Sequence, residues 1–215
     1  MPLAVAVAIS PLPVAAVILM LLSPRAGVNS VAFVAGWVLG LAAVGAIVLV
    51  FGSAFSSDGS DGSVASGAAK AGFGALFLVL AVRSWRSRSR SGKLTETPKW
   101  LLAVGRFNIA KSLGVGFLLS GVNPKNLALT IAAASSIAAA TLSSGAEIAV
   151  FALFMVIACA TVITPVAYYA LAPRRASREL EVLKTWLIAH NPIVMAVLFV
   201  LIGAKLLGDG ITILS

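Results

Sequence analysis

The chain has 215 residues, 60% of them hydrophobic and only 11% charged, with a formal net charge of +9. A soluble domain of this length carries roughly a quarter charged residues, so composition excludes a soluble protein. The apolar residues come in blocks of about 18 or more, long enough to cross a bilayer as helices, the form that satisfies the backbone where water is absent.

In chain order the first block, Leu3–Leu22, reads as a retained span, because the first basic residue, Arg25, follows it rather than precedes it. Ser10-Pro11-Leu12-Pro13 stands in its middle. Proline has no N–H, so Pro11 and Pro13 free the carbonyls of Val7 and Ile9. The second block, Ser30–Gly52, carries Gly36 and Gly40 at the spacing of close helix packing. The third is Val64–Trp85.

A basic connection, residues 86–111, follows. Between Arg83 and Lys111 eight Lys or Arg stand against one acid, Glu96. Placed between two spans, this run reads as a cytoplasmic loop obeying the positive-inside bias rather than a nucleic-acid surface. Ser84 to Lys93 is Ser/Arg-rich and suited to anionic headgroups. Beyond Thr97 and Pro98, Trp100, Leu101, Val104 and Phe107 share one helical face. They form either a short amphipathic helix on the inner leaflet or a segment packed under the bundle.

The fourth block, Leu113–Ala140, contains Asn123-Pro124-Lys125-Asn126. Pro124 frees the carbonyl of Ser120. Lys125 is the only charge well inside a span, where an ammonium costs about 2.5–3.5 kcal/mol. It reads as an anion-attracting group in a translocation path; the competing reading pairs it with freed carbonyls. The fifth block, Ala146–Ala172, carries Thr161, Thr164 and Pro165 with Tyr168 and Tyr169. This is a second polar patch, or a kink with tyrosines in the interfacial belt. The sixth, Pro192–Leu207, is preceded by His190 and by Asn191 as its cap.

Connection charges alternate. Arg25 is followed by Asp58 and Asp61, then the basic run, Glu147, the Arg174–Lys184 stretch with Glu179 and Glu181, and Asp209. The alternation places both termini outside. The two halves, residues 1–90 and 112–215, match weakly. Both first spans have a central proline break, and Phe77–Arg83 aligns without a gap on Phe199–Lys205. Three spans per half insert in opposite senses. The expected fold is therefore an all-α membrane protein of six transmembrane helices in two inverted three-helix repeats, one transmembrane domain over 1–215.

The candidate substrate-binding residues are Ser10, Pro11, Pro13, Asn123, Pro124, Lys125, Asn126, Thr164 and Pro165. No mid-span carboxylate, phosphate loop, metal-ligand cluster or Ser–His–Asp set is present, so no enzymatic activity, cofactor or metal is expected. The single cysteine, Cys159, excludes a paired-thiol conduit.

Gly121-Val122-Asn123-Pro124-Lys125-Asn126, the preceding Pro98-Lys99-Trp100, Trp186-Leu187 with Asn191, and Gly203 resemble the lysine-exporter superfamily. Within it the chain is most similar to the peptidoglycolipid-addressing family of actinobacteria, which includes sulfolipid-addressing proteins. The resemblance implies a multi-pass inner-membrane protein that exports an anionic envelope glycolipid. It implies membrane lipids and a larger lipid transporter as partners, with a homo-oligomer open and no nucleic acid. The chain departs from the thiol-reductant branch in lacking paired cysteines, and from amino-acid exporters in having Ser-Pro-Leu-Pro where those show Gly-Pro. Few midplane polar groups favour a greasy cargo. The rival readings are an amino-acid or small-solute exporter and a non-transporting subunit of a larger lipid-export complex.

Overall fold

The computed structural model describes residues 1–55, 64–87, 101, 103–140 and 142–214. All regular structure among them is helical. The helices are α1 (Pro2–Ala8), α2 (Pro11–Leu21), α3 (Ala26–Phe55), α4 (Val64–Arg86), α5 (Ile109–Phe117), α6 (Pro124–Ala138), α7 (Ser144–Leu171) and α8 (Pro173–Leu214). A short 3-10 turn, Val104–Arg106, precedes α5, and a π turn, Leu118–Val122, joins α5 to α6.

Among the described residues three helices are long and apolar enough to cross a membrane: Ala26–Val50, Ser144–Leu171 and Pro173–Leu214. The pair α1–α2, bent by 47° at its break, makes a fourth if counted as one span. Several long apolar helices of this kind fit a membrane protein. So does the outer face of α7, where Ile148 and Val156 are 67% and 68% exposed. With 28 residues α7 is about 42 Å long, more than a hydrocarbon core of about 30 Å.

One expectation changes. The fifth connection is not a loop, because α8 begins at Pro173, one residue after Ala172, and runs unbroken through Pro192. Asn191 is therefore inside a helix and caps nothing. The buried face of this stretch, Ala176, Leu180 and Ile188, explains the helix: apolar residues every four positions make an inward stripe. Of the two readings of the segment after Pro98, the described residues favour the one packed under the bundle. Leu101 and Val104 are completely buried, and Asn29 Nδ2 donates to the Phe107 carbonyl at 2.7 Å. The described part of this segment is packed against protein. Asp58, Asp61, Glu96 and Thr97–Trp100 lie outside the described residues.

The chain forms two compact units. The first comprises Met1–Ser53 with Thr97–Ile188, the second Ala54–Glu96 with Ala189–Ser215. In the first, α1 and α2 pack on α7, and α1 also packs on α6. Its largest buried side chains are Trp37, Phe33, Ile18 and Met20. Helix α3 meets α5 with no side chain between them. A Cβ on Gly36 would run into the Leu113 carbonyl, and one on Gly116 into the Phe33 carbonyl. Contact partners rise together, Asn29 with Phe107, Gly36 with Leu113 and Gly40 with Phe117, so α3 and α5 run parallel.

In the second unit, α4 lies against the end of α8. Ser84 Oγ donates to the Pro192 carbonyl at 2.8 Å, Phe77 and Phe199 meet at 5.6 Å, and Gly67 faces Ile213. Partners rise on one helix as they fall on the other, so this pair is antiparallel.

Candidate functional site

The site is built from two helix interruptions. At the first, Pro11 and Pro13 cannot donate backwards, and α1 ends at Ala8. The last carbonyls of a helix have no intrahelical partner, and here four in a row, Ala6 to Ile9, point into protein. Ser10 caps α2 in an extended conformation (φ −132°, ψ 84°), and its Oγ donates to the Val7 carbonyl at 2.7 Å. Thr161 Oγ1, from α7, donates to the Ala8 carbonyl at 2.6 Å. The remaining two carbonyls are taken by Lys125.

The second interruption follows from Pro124. The turn before it widens, so that the Asn123 N–H reaches the Leu118 carbonyl at 3.1 Å. Asn126 Nδ2 donates to the Leu119 carbonyl at 3.0 Å. Asn123 then caps α6, its Oδ1 accepting from the Lys125 N–H at 3.1 Å. This cap sets the direction in which the lysine leaves α6.

Lys125 is only 4% exposed. Its Nζ donates to the carbonyls of Ala6 at 2.9 Å and Ile9 at 2.8 Å, and to Ser10 Oγ at 2.8 Å. An ammonium has three donors, and all three are used. Among the described residues no carboxylate pairs with it; the negative charge it meets is the partial charge of carbonyls at the end of α1, where a cation is favoured. A buried charge without a counter-ion is tolerated only when its hydrogen bonds are complete. The lysine thus acts as a clasp, tying the end of α1 and the start of α2 to the start of α6.

The clasp unites Ser10 and Lys125 directly, with Pro11, Asn123, Pro124 and Asn126 supplying the two interruptions; Pro13 is buried one turn into α2. Thr164 is elsewhere: it is exposed and donates to the Ala160 carbonyl of its own helix at 2.7 Å. Pro165 is buried in α7. Thr161, one turn before it, is the hydroxyl that reaches the break. The signal for it was available, since Thr161 is the residue whose carbonyl Pro165 leaves free. Sequence reasoning also passed over Thr130. Asn126 Oδ1 and Thr130 Oγ1, one turn apart on α6, are buried with no hydrogen-bond partner among the described residues.

Toward the far end of α6, Met1, Leu3, Ala133, Ile137, Leu142 and Phe154 border an apolar cleft of about 200 Å³. Since Ala6 and Ile9 meet Lys125 while Met1 and Leu3 meet this far end, α1 and α6 are antiparallel.

A family model described as Sap, sulfolipid-1-addressing protein, matches residues 1–212. No curated protein and no solved structure matches the chain.

Proposed function

The chain belongs to the sulfolipid-1-addressing protein family, and from that premise we propose that it is an inner-membrane transporter for an amphiphilic, anionic cell-envelope glycolipid. The observation that carries this reading is the meeting of two interrupted helices at one buried ammonium. Interrupted helices placed together in an apolar bundle are where secondary transporters hold cargo. Lys125 offers charge to an anionic headgroup in exchange for its neutral carbonyl partners. Asn126 Oδ1 and Thr130 Oγ1 supply polar atoms with unused hydrogen-bonding capacity on the same helix. The exposed apolar face of α7 suits acyl chains that stay in lipid.

Helix directions support six alternating spans in two inverted halves. Alternation makes the second and fourth spans parallel, and makes the first and fourth, and the third and sixth, antiparallel. The senses of α3 with α5, α1 with α6, and α4 with the end of α8 agree. Phe77 and Phe199 occupy matching positions of the two halves and touch each other, as equivalent residues beside a two-fold axis do. In this arrangement both termini lie outside, and the cargo passes to a larger lipid transporter without an enzymatic step.

Lipid analysis of the outer envelope of a deletion strain tests the reading. The glycolipid is expected to vanish from the outer envelope and to return with the wild-type gene but not with Lys125→Met. Unchanged envelope lipids with altered amino-acid efflux would replace the reading with a small-solute exporter.

A further inference from the structure

Among the described residues, a cluster of arginines outside the clasp lies where α7 ends. This helix is one of those able to cross a membrane; it stops at Leu171, and α8 starts at Pro173. Arg174, Arg175 and Arg178 occupy the first turns of α8, with no acid in the first turn. Cations there oppose the helix dipole, so helix stability does not account for them. Together with Glu179 and Val182 they line an open groove of about 690 Å³.

Arg175 is committed: its Nε donates to Glu179 at 2.9 Å, and the other oxygen of Glu179 accepts from the Tyr168 hydroxyl at 2.6 Å. Arg174 and Arg178 have no acidic partner among the described residues. Because Ala176 and Leu180 on the opposite side of α8 are buried, the arginine face is held outward. Val182, in the groove's lining, is 68% exposed; Leu171, at the end of α7 three residues before Arg174, is 86% exposed, and Trp186, one turn beyond Val182 on α8, is 50% exposed.

We propose that this groove binds the oxyanion headgroup of an anionic membrane lipid, with Arg174 and Arg178 on the phosphate or sulfate and Leu171, Val182 and Trp186 along the first part of an acyl chain. The guanidinium fork matches such oxyanions in a two-point fashion. A free anion would use the arginines alone, whereas a lipid also covers the three apolar side chains. The end of a membrane-crossing helix is also the level at which headgroups lie. If the bound lipid is the sulfated cargo, the groove is its port of entry; only that part rests on the transport reading.

The full-length protein in nanodiscs of equal phosphatidylcholine and phosphatidylglycerol, released in native mass spectrometry, tests the site. Phosphatidylglycerol should be enriched about tenfold among retained lipids, the effect of roughly one strong charge interaction. Arg174→Gln with Arg178→Gln should bring retention to parity, and the corresponding lysine pair should keep part of it. Should the double glutamine variant not accumulate, Arg178→Gln alone is read on the same scale.

Arg25→Gln with Arg106→Gln removes equal charge from exposed positions outside the groove and should leave retention near the wild-type level. Parity in the wild type overturns the proposal, as does an equal loss in that control, which would indicate diffuse attraction. Displacement by an equal concentration of inorganic sulfate also overturns it. Repeating the measurement with sulfatide separates the sources: preference for the sulfated glycolipid marks cargo, and preference for phosphatidylglycerol marks a resident lipid. Unchanged envelope lipids in the deletion strain would end the transport reading and leave this retention intact.

Discussion

Both units bring helices together backbone against backbone at glycine, and the first adds a buried polar clasp. In the first, four successive carbonyls at the end of α1 are met by side chains from three elements: Ser10, Thr161 and Lys125. In the second, α4 and the end of α8 meet backbone against backbone. A Cβ on Gly74 would come within 2.6 Å of the Leu207 nitrogen, and one on Gly210 within 2.6 Å of the Ala71 nitrogen. Polar contacts there include Ser84 with the Pro192 carbonyl and, within α8, the exposed pair of Lys205 and Asp209. An interrupted helix exchanges intrahelical bonds for side-chain bonds, and those can be remade with a guest. The α4–α8 pair shows one such bond, from Ser84 to the Pro192 carbonyl, beside its glycine contacts.

The largest expected effect breaks this comparison at its centre. From sequence alone, methionine at Lys125 looks harmless, since it keeps the apolar stem and removes a costly charge. The clasp reverses that expectation. Lys125→Met leaves the Ala6 and Ile9 carbonyls buried without a donor, at about 1–3 kcal/mol each, while the ammonium it removes already has its three donors satisfied. Thermal unfolding in detergent should show a clear fall in Tm, with glycolipid delivery lost. Lys125→Arg keeps the charge but not the geometry, and should lie between. An unchanged Tm for Lys125→Met would mean that the clasp does not hold the interruptions together.

Glycine substitutions come next. Gly116→Ala pushes a methyl into the Phe33 carbonyl, and Gly74→Ala pushes one into α8. Each should destabilise by about 1–3 kcal/mol, the usual cost of overpacking. Gly114 has nothing within 4 Å of its would-be Cβ, so Gly114→Ala should stabilise by about 0.5–1 kcal/mol through helix propensity. Equal responses at 114 and 116 would refute the close approach of α3 and α5.

What was legible in the sequence follows from which residues act locally. Both interruptions were readable because proline removes an N–H wherever it stands. Ser10 and the Val7 and Ile9 carbonyls were found on that rule. Lys125 stood out as the one charge deep in an apolar block. That it pairs with freed carbonyls was the competing reading, and Ile9 is one that Pro13 frees; which carbonyls it reaches, more than a hundred residues away, depends on how α1 meets α6. Thr161 and Thr164 are indistinguishable by composition; only the rotation of α7 decides that Thr161 reaches Ala8. The continuity of α8 was missed because charged Arg174–Lys184 reads as a loop when only apolar length is counted, while its inward stripe of Ala176, Leu180 and Ile188 is easily overlooked.

That rotation of α7 gives the third test. Thr161→Val removes the donor to the Ala8 carbonyl, which still accepts from the Ser10 N–H at 2.8 Å. The cost should be that of one hydrogen bond, about 0.5–1.5 kcal/mol. Thr164→Val removes only an exposed bond within α7 and should cost less. A larger loss at 164 than at 161 would place the wrong hydroxyl at the interruption.

The smallest effect sharpens the contrast from the other side. Lys205 pairs with Asp209 at 2.6 Å, but their side chains are 71% and 45% exposed. An exposed pair is worth about 0–1 kcal/mol, and a lysine placed four residues before its acid is the weaker orientation on a helix. Lys205→Gln should therefore move Tm little, with the difference shrinking further in high salt as screening removes the remaining attraction. The same charge deletion at Lys125 should be insensitive to salt, because its partners are buried carbonyls rather than an ion in reach of solvent. A salt-independent loss at Lys205 comparable to that at Lys125 would show that the second unit also depends on a fixed charge, and the distinction between the two units would fail.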